Sequence, residues 1–238
     1  KSFLFQPSRR PPETPLIDHI QAVIAGLPAH KNPFFSDLED GAWDQEDFTE
    51  TQVQFFSAVQ HFNRPMRALA LRTPLTRNRK AIEQNIDDEL GLNHTLVSHE
   101  ESFLLFLLRL GDLSEKEVRN RPVWPELIHF NRTLDTVCSC WDYREAAVYM
   151  GVIELMFSDY SGRIGRGILK NGWLLEEDLI HYTQHEGLDL KHATDFFQVA
   201  APDWPHHRSA LESAIEQSAE GFDQLYRSLH ERRAIRVR

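Results

Sequence analysis

Residues 142–169 read DYREAAVYMGVIELMFSDYSGRIGRGIL, and the hydrophobic spacing of this segment decides the class of fold. Apolar side chains recur every three or four residues, which places them on one face of an α-helix. They are Ala146, Met150, Ile153, Phe157, Ile164 and Ile168. Asn171 and Gly172 follow, and these residue types favour the end of a helix. The segment therefore predicts one long helix that is buried on one side.

Helical spacing also dominates the chain on both sides of this segment. Further helices are predicted over residues 16–27, 45–71, 77–90, 95–110, 125–138, 175–200 and 206–230. Pro65 is expected to kink the second of these, and a capping-box pattern at Ser114 and Glu117 predicts a short additional helix. No segment alternates with the period of two that strands require. The sequence predicts an all-α protein, an up-and-down bundle of about seven or eight helices.

The first sixteen residues differ from the rest in their proline content. Prolines at positions 7, 11, 12 and 15 leave few backbone donors, so residues 1–16 are expected to form an extended N-terminal arm. No repeat or linker interrupts the following chain. Residues 17–238 are therefore expected to form a single domain.

Composition narrows the classes of function. Of 238 residues, 36 are acidic and 26 basic, and the net charge of −10 disfavours nucleic acid as a partner. The longest apolar run, Phe103 to Leu108, is far shorter than a membrane-spanning helix, so no membrane association is expected. Cys138 and Cys140 are too few for a disulfide framework, which fits a reducing compartment, and a cytoplasmic location is expected.

A group of metal-competent residues lies in the predicted helix 175–200. His185, Asp189 and His192 fall on one face, because positions i+4 and i+7 return close to the starting direction. His181 and Asp195 lie one turn before and after, where hydrogen bonds from them could fix the orientation of the ligand imidazoles. The alternative is a solvated face with ordinary ion pairs. Aromatic neighbours favour burial of the stripe instead.

Two further groups on other helices complete the set. Glu89 and His99 are about 80° apart on an unbroken helix, but a break at Gly91 would bring them together. His94 is a rival ligand that needs the same break. If these residues bind no metal, Glu89 would be an ordinary charged residue at a helix C-terminus, and His99 would be an N-terminal residue of a core helix. Glu154 stands amid apolar residues, either exposed or buried against a cation or strong donors.

Together these groups supply three carboxylates and three imidazoles. Such a set would nearly neutralise two divalent ions, and mixed nitrogen and oxygen ligation suits iron or manganese. A ferritin-like arrangement with two Glu-x-x-His pairs is disfavoured, because the chain offers only Glu126 with His129 and a weak second pair, Asp178 with His181.

These motifs resemble those of the heme-oxygenase-like diiron oxidases and oxygenases, within the wider TenA/PqqC-like superfamily. The resemblance spans about residues 45–200 and rests on Asn85-x-x-Asp-Glu89-x-Gly91 with His99, then Glu154, then His185-x3-Asp189-x2-His192. It implies a helical bundle with a central cavity. The residues that match the family's metal ligands are Glu89, His99, Glu154, His185, Asp189 and His192.

The resemblance also implies a chemistry. Such enzymes activate dioxygen at two irons and oxidise amines, amino acids or fatty acids, and many are dimers. True heme oxygenases have a proximal histidine near the N-terminus. His19 is the only early candidate for such a ligand in this chain, so no heme is expected. The predicted function is a non-heme dimetal oxidoreductase, with two iron ions or manganese, that uses dioxygen to oxidise a small organic substrate in the cavity.

Two alternatives come from other classes of protein. TenA proteins of the thiaminase II type use a cysteine nucleophile in the motif Cys-x-Trp-x-Tyr, but here Ser139 occupies that position, flanked by Cys138 and Cys140. A serine without an evident base is a far weaker nucleophile than a thiolate. A PqqC-like protein would oxidise its substrate without metal. A non-catalytic helical protein would keep the cavity and bind a ligand only.

Overall fold

The computed structural model describes residues 14–28, 32–92 and 97–236, and helices dominate them. Their bounds are α1 Pro15–Gly26, α2 Pro33–Glu39, α3 Gln45–His61, α4 Asn63–Arg72, α5 Thr76–Glu89, α6 His99–Gly111, α7 Glu115–Arg119, α8 Pro125–Cys140, α9 Tyr143–Lys170, α10 Ile180–Ala200 and α11 Trp204–Arg236. No strand occurs in these ranges. The prediction of an all-α helical bundle is confirmed.

Helix α9 is the centre of the bundle and is buried on more sides than the one face that the spacing of its apolar residues predicts. It packs along α10 over most of its length and also contacts α2, α4, α8 and α11. Gly151 allows the close approach of α9 to α10, because a Cβ at this position would lie 2.5 Å from a ring carbon of Phe197. Ile153 and Phe157 are buried on this helix, and Glu154 is buried between them. The carboxylate therefore reaches the interior of the bundle.

Several helix boundaries differ from the predicted ones for local reasons. Pro15 and Leu16 belong to α1 and not to the predicted arm, because Thr14 caps the helix and proline is favoured in its first turn. Residues 1–13 lie outside the described residues. The predicted helix 45–71 is divided into α3 and α4. The interruption precedes Pro65 by one turn, because proline has no N–H to donate to the carbonyl of His61.

The turn after α5 has the break that the sequence predicts. Gly91 has a φ of 68°, in the left-handed region that glycine adopts readily, and Leu92 N–H bonds the Asp87 carbonyl at 2.9 Å. Helix α5 therefore ends directly after Glu89. His94 lies outside the described residues. None of the described helices combines the length and the apolar character that crossing a bilayer requires.

Candidate metal centre

The six predicted ligands lie on four helices and all point into the bundle. Glu89 ends α5, His99 begins α6 and Glu154 is in the middle of α9. The other three, His185, Asp189 and His192, are on the face of α10 that packs against α9 and α5. All six side chains are buried, with at most 7% of any residue exposed. The solvated-face and exposed-glutamate alternatives therefore do not describe these residues.

Three of these side chains converge so that a metal ion could lie between them. Ligand atoms of Glu89, Glu154 and His192 all lie within 4.8 Å of one another. His192 Nδ1 is 3.6 Å from Glu154 Oε1 and 3.8 Å from Glu89 Oε1, which is too long for hydrogen bonds. The His192 nitrogen and one carboxylate oxygen each from Glu89 and Glu154 thus surround a small space that lies between them.

The other three ligands form a second group beside this one. His99 Nδ1 is 2.6 Å from Glu89 Oε2, so the Gly91 turn brings together the pair that an unbroken helix would separate. His185 Nδ1 is 2.7 Å from Asp189 Oδ1, one helical turn away. The imidazole rings of His99 and His185 have centroids 4.1 Å apart. The two groups are joined through Glu89.

Each of five predicted ligands leaves a buried polar atom without a hydrogen-bond partner. These atoms are His99 Nε2, Glu154 Oε1, His185 Nε2, Asp189 Oδ2 and His192 Nδ1. Buried polar atoms in native proteins nearly always have partners, so five orphans in one cluster need a common explanation. Bound cations explain all of them, and carboxylates with imidazoles are ligands that iron accepts. The residues present therefore fit a bound metal ion such as iron.

Burial and the charges of neighbouring side chains shift the pKa values of the cluster. Burial raises the pKa of Glu154 to about 7 and raises the pKa of Asp189 well above its usual value. Burial lowers the pKa of His185 well below its usual value. For His192, burial opposes protonation, but Asp88, Glu154 and Glu89 together raise the pKa to about 10. A cation among these groups would favour ionised carboxylates and neutral imidazoles.

Asp88 is the aspartate of the motif Asn85-x-x-Asp-Glu89-x-Gly91, to which the sequence analysis assigned no role of its own. Its Oδ2 is 3.2 Å from His192 Nε2, so it holds the ring with Nδ1 turned toward Glu89 and Glu154. Lys191 Nζ in turn contacts Asn85 Oδ1 at 3.0 Å and Asp88 Oδ2 at 3.5 Å. The available signal was the position of Asp88 beside Glu89 on the predicted helix. Carboxylate–histidine pairs of this kind orient metal-ligating imidazoles.

Replacing Asp88 with asparagine should weaken metal binding about 10-fold, within the ~10–100-fold range that loss of an orienting partner produces. The amide keeps the shape of the side chain but removes the charge that fixes the imidazole of His192. Anaerobic titration with Fe(II) measures the affinity. Asp87→Asn is the control, since the neighbouring residue lies outside the cluster. Equal affinities for the two variants would contradict the orienting role of Asp88.

The two residues predicted to orient the ligands have different positions. His181 is buried, and its ring lies 4.2 Å from that of His185 by centroid. Asp195 instead pairs with Lys191 at 3.2 Å. Lys191 in turn contacts Asp88, and Asp88 contacts His192, so Asp195 is linked to His192 through these two residues.

A cavity of about 40 Å³ opens directly onto this cluster. Its polar end consists of Glu89, His99, Glu154, His181 and His185. The remaining wall is apolar and is formed by Phe55, Ala58, Val59, Phe62, Phe130, Ile153, Phe157 and Phe222. An apolar wall with a few convergent polar groups is typical of small-molecule sites, whereas the volume of about 40 Å³ is well below the ~300–1,000 Å³ of such sites.

The residues of the thiaminase-like alternative lie elsewhere. Ser139 and Cys140 are exposed at the end of α8, Cys138 is buried, and none of the three lines the cavity. The ferritin-like alternative is also remote, because Glu126 bonds Arg232 at 2.8 Å outside the cluster.

A thiol reagent at pH 8 should modify Cys140 and leave Cys138 unmodified in the folded protein. Burial raises the pKa of the Cys138 thiol to about 12, so almost no thiolate forms there at pH 8. Cys140 is exposed to the reagent. Mass spectrometry after labelling identifies the modified residue, with protein in denaturant as the control in which both react. Rapid labelling of Cys138 in the folded state would contradict the buried, unreactive thiol.

Three solved structures share this fold. The first is a domain of unknown function with a heme oxygenase-like fold from Shewanella denitrificans, with 12% identity, a TM-score of 0.71 and coverage of 91% of this chain and 89% of that one. The second is a TenA homolog from Pseudomonas syringae pv. tomato, with 14% identity, a TM-score of 0.71 and coverage of 97% and 98%. The third is a TenA homologue from P. horikoshii, with 10% identity, a TM-score of 0.70 and coverage of 91% and 96%.

At these identities the structural likeness establishes the fold alone. None of the curated proteins compared matches the sequence. One protein family, described as iron-containing redox enzymes, matches residues 50–227, a range that includes all six predicted ligands. The chain therefore belongs to the family of iron-containing redox enzymes, and its fold is heme-oxygenase-like.

Proposed function

We propose that this protein is a non-heme diiron oxidoreductase that uses dioxygen to oxidise a small organic molecule bound in the cavity. The observation that carries the proposal is the convergence of Glu89, Glu154 and His192, all buried, on one point. His99, His185 and Asp189 lie next to it with unpartnered atoms of their own. One metal ion needs fewer than six protein ligands if coordination positions are to stay open for the substrate. A set of six therefore favours two ions.

In this proposal the side chains of the chain have distinct tasks. Glu89 and Glu154 supply carboxylates that neutralise bound cations, and His99, His185 and His192 supply neutral nitrogens. Asp88 holds the ring of His192 in the orientation for binding. Bound iron would supply the dioxygen and electron-transfer chemistry that protein side chains lack. The phenylalanine-rich wall of the cavity excludes water from the reacting molecule.

Iron stoichiometry and dioxygen consumption together test the proposal. Protein reconstituted with Fe(II) under argon and then desalted should retain about two irons per chain. After air is admitted it should consume dioxygen, as measured with an oxygen electrode. Manganese loaded in the same way tests the alternative ion. Retention of no more metal than the buffer control would overturn the proposal.

The same experiment separates the two alternative functions. A metal-free oxidase of the PqqC-like kind would turn over its substrate equally well before and after treatment with a chelator. A non-catalytic binding protein would bind its ligand and consume no dioxygen. The diiron proposal requires that the chelator abolish dioxygen consumption and that Fe(II) restore it.

A further inference from the structure

A groove between α8 and α11 lies next to the small cavity at the metal cluster. The volume of the groove is about 740 Å³, whereas that of the cavity is about 40 Å³. Sites for small organic molecules usually measure ~300–1,000 Å³, so the groove has the size of such a site and the cavity does not. An organic molecule of ordinary size that reacts at the cluster must therefore occupy space beyond the cavity.

Phe130 is a side chain that belongs to the walls of both spaces. It lines the cavity together with Glu89 and Glu154, and it also lines the groove. Phe130 is on α8 and only 8% exposed, so its ring lies within the wall and has little contact with solvent. The ring of Phe222, on α11, lies beside it with the two centroids 5.9 Å apart. The ring of Phe130 therefore separates the groove from the cavity at the cluster.

The groove offers free space into which this ring can turn. Gly221 lines the groove on α11, directly before Phe222, and has no side chain. Outside its own helix, a Cβ at this position would meet only Tyr149 Oη within 4 Å, at 3.5 Å. A phenylalanine ring changes its direction by rotation about side-chain bonds, with no movement of the backbone. Rotation of the Phe130 ring into the groove would join the groove to the cavity.

We propose that the groove between α8 and α11 is the entrance to the metal cluster and that Phe130 determines which molecules pass. The narrow, reacting end of a molecule passes the ring and reaches the cavity, and the wider part stays in the groove. The size of the side chain at position 130 therefore limits the width of the reacting end. This inference rests on the proposed function only in regarding the entering molecule as the substrate.

A thiol introduced into the cavity wall measures this passage without iron. Ala58 lines the cavity, is 3% exposed and is not a predicted ligand, so Ala58→Cys places the thiol there. Cys140→Ser removes the exposed native thiol. Cys138 remains as an internal reference, because it is fully buried and should react only when the fold opens. This double variant is the parent protein for all comparisons.

Two reagents of different width probe the entrance to the cavity. Methyl methanethiosulfonate and benzyl methanethiosulfonate react with thiolates in the same way and transfer a narrow and a wide group, respectively. The metal-free parent protein is treated with each reagent at pH 8 in the presence of a chelator, and mass spectrometry follows each thiol. The rate for the introduced thiol is divided by the rate for Cys138, which corrects for opening of the whole fold.

Phe130→Ala should raise this relative rate about 10–100-fold, because a buried phenylalanine ring no longer has to leave its position before the reagent passes. The increase should be larger for the benzyl reagent than for the methyl reagent. Gly221→Leu should slow both reagents toward the rate of Cys138, because its side chain fills the groove. Gly221 has no positive φ, so leucine fits its backbone, and the residues of the cavity wall stay unchanged. Thermal melts of each variant verify folding.

Two control variants make the same chemical changes outside the entrance. Phe62 lines the cavity but not the groove, so Phe62→Ala removes a ring from another part of the cavity wall. It should change the relative rate much less than Phe130→Ala does. Ser209→Leu adds a leucine at an exposed position of α11 that does not line the groove, and it should leave both rates unchanged.

The inference requires both entrance variants to act as expected. An unchanged relative rate in either Phe130→Ala or Gly221→Leu would overturn it. A greater acceleration in Phe62→Ala than in Phe130→Ala would also overturn it, because the reagent would then enter beside Phe62. These measurements do not depend on iron. A protein that retains no iron but shows both effects would overturn the diiron proposal and leave the entrance at Phe130 standing.

Discussion

Replacing His192 with alanine is expected to reduce the iron retained by the protein from about two ions per chain to well below one. His192 Nδ1 is the nitrogen that faces both Glu89 and Glu154, and no other histidine belongs to that group of three. Loss of an orienting partner already costs about 10–100-fold in metal affinity, so loss of the ligand itself should cost more. Iron content after desalting and dioxygen consumption measure the effect.

The control for this variant must separate loss of a ligand from loss of folding. Removing a fully buried ring leaves a hole beside Asp88, and large-to-small changes in a core cost about 2–5 kcal/mol of stability. Circular dichroism and a thermal melt therefore accompany the iron measurement. His206→Ala changes an exposed histidine and should keep both the iron and the melting temperature. Unchanged iron in a folded His192→Ala protein would contradict the assignment of this ligand.

The sequence predicts the long helices of this fold because their apolar faces extend over several turns. The spacing over 142–169 gives α9, Tyr143–Lys170, to within one residue at each end. Helix α2 has only seven residues, too few for a periodic pattern, and its existence depends on the Asn32 cap and on the buried Phe34 and Phe35. The division between α3 and α4 is equally local. It arises from the missing N–H of Pro65, the residue from which the sequence predicts a kink, and not from the apolar spacing.

The site divides in the same way between local and long-range information. Spacing within one helix places His185, Asp189 and His192 on one face, and a glycine signal predicts the turn that joins Glu89 to His99. The contact of Asp88 with His192 spans 104 residues of sequence and depends on the packing of α5 against α10. No local pattern encodes it.

The same reasoning applies to the wall of the cavity. Phe55, Phe130 and Phe222 come from three helices, and each satisfies the spacing of an ordinary core residue. Only the assembled bundle shows that they leave a cavity against Glu154. The acid itself is conspicuous in sequence because its neighbours are apolar, but spacing alone leaves it either exposed or buried. The predicted metal ligands are therefore more readily found from sequence than the residues that line the cavity.

Replacing Glu154 with glutamine is expected to stabilise the metal-free protein and at the same time to abolish its stabilisation by iron. Glu154 is 2% exposed, and its Oε1 has no hydrogen-bond partner. Burying a carboxylate destabilises the folded protein unless hydrogen bonds or opposite charges offset its lost hydration. Removing the charge should therefore raise the free energy of unfolding by about 1–3 kcal/mol. Iron at 100 times its dissociation constant should stabilise the wild type by about 2.7 kcal/mol and the variant much less.

Thermal melts under argon with and without Fe(II) measure both changes in one experiment. For a chain of this length, about 1 kcal/mol corresponds to a shift of about 2–4 °C in melting temperature. Asp159→Asn makes the same chemical change at an exposed position of α9 and should leave the metal-dependent shift intact. If Glu154 served only as a structural partner of His192, its replacement would destabilise the metal-free protein, and iron would shift both melts equally. Opposite changes, a gain in metal-free stability with loss of the iron effect, are expected only of a carboxylate kept for a cation.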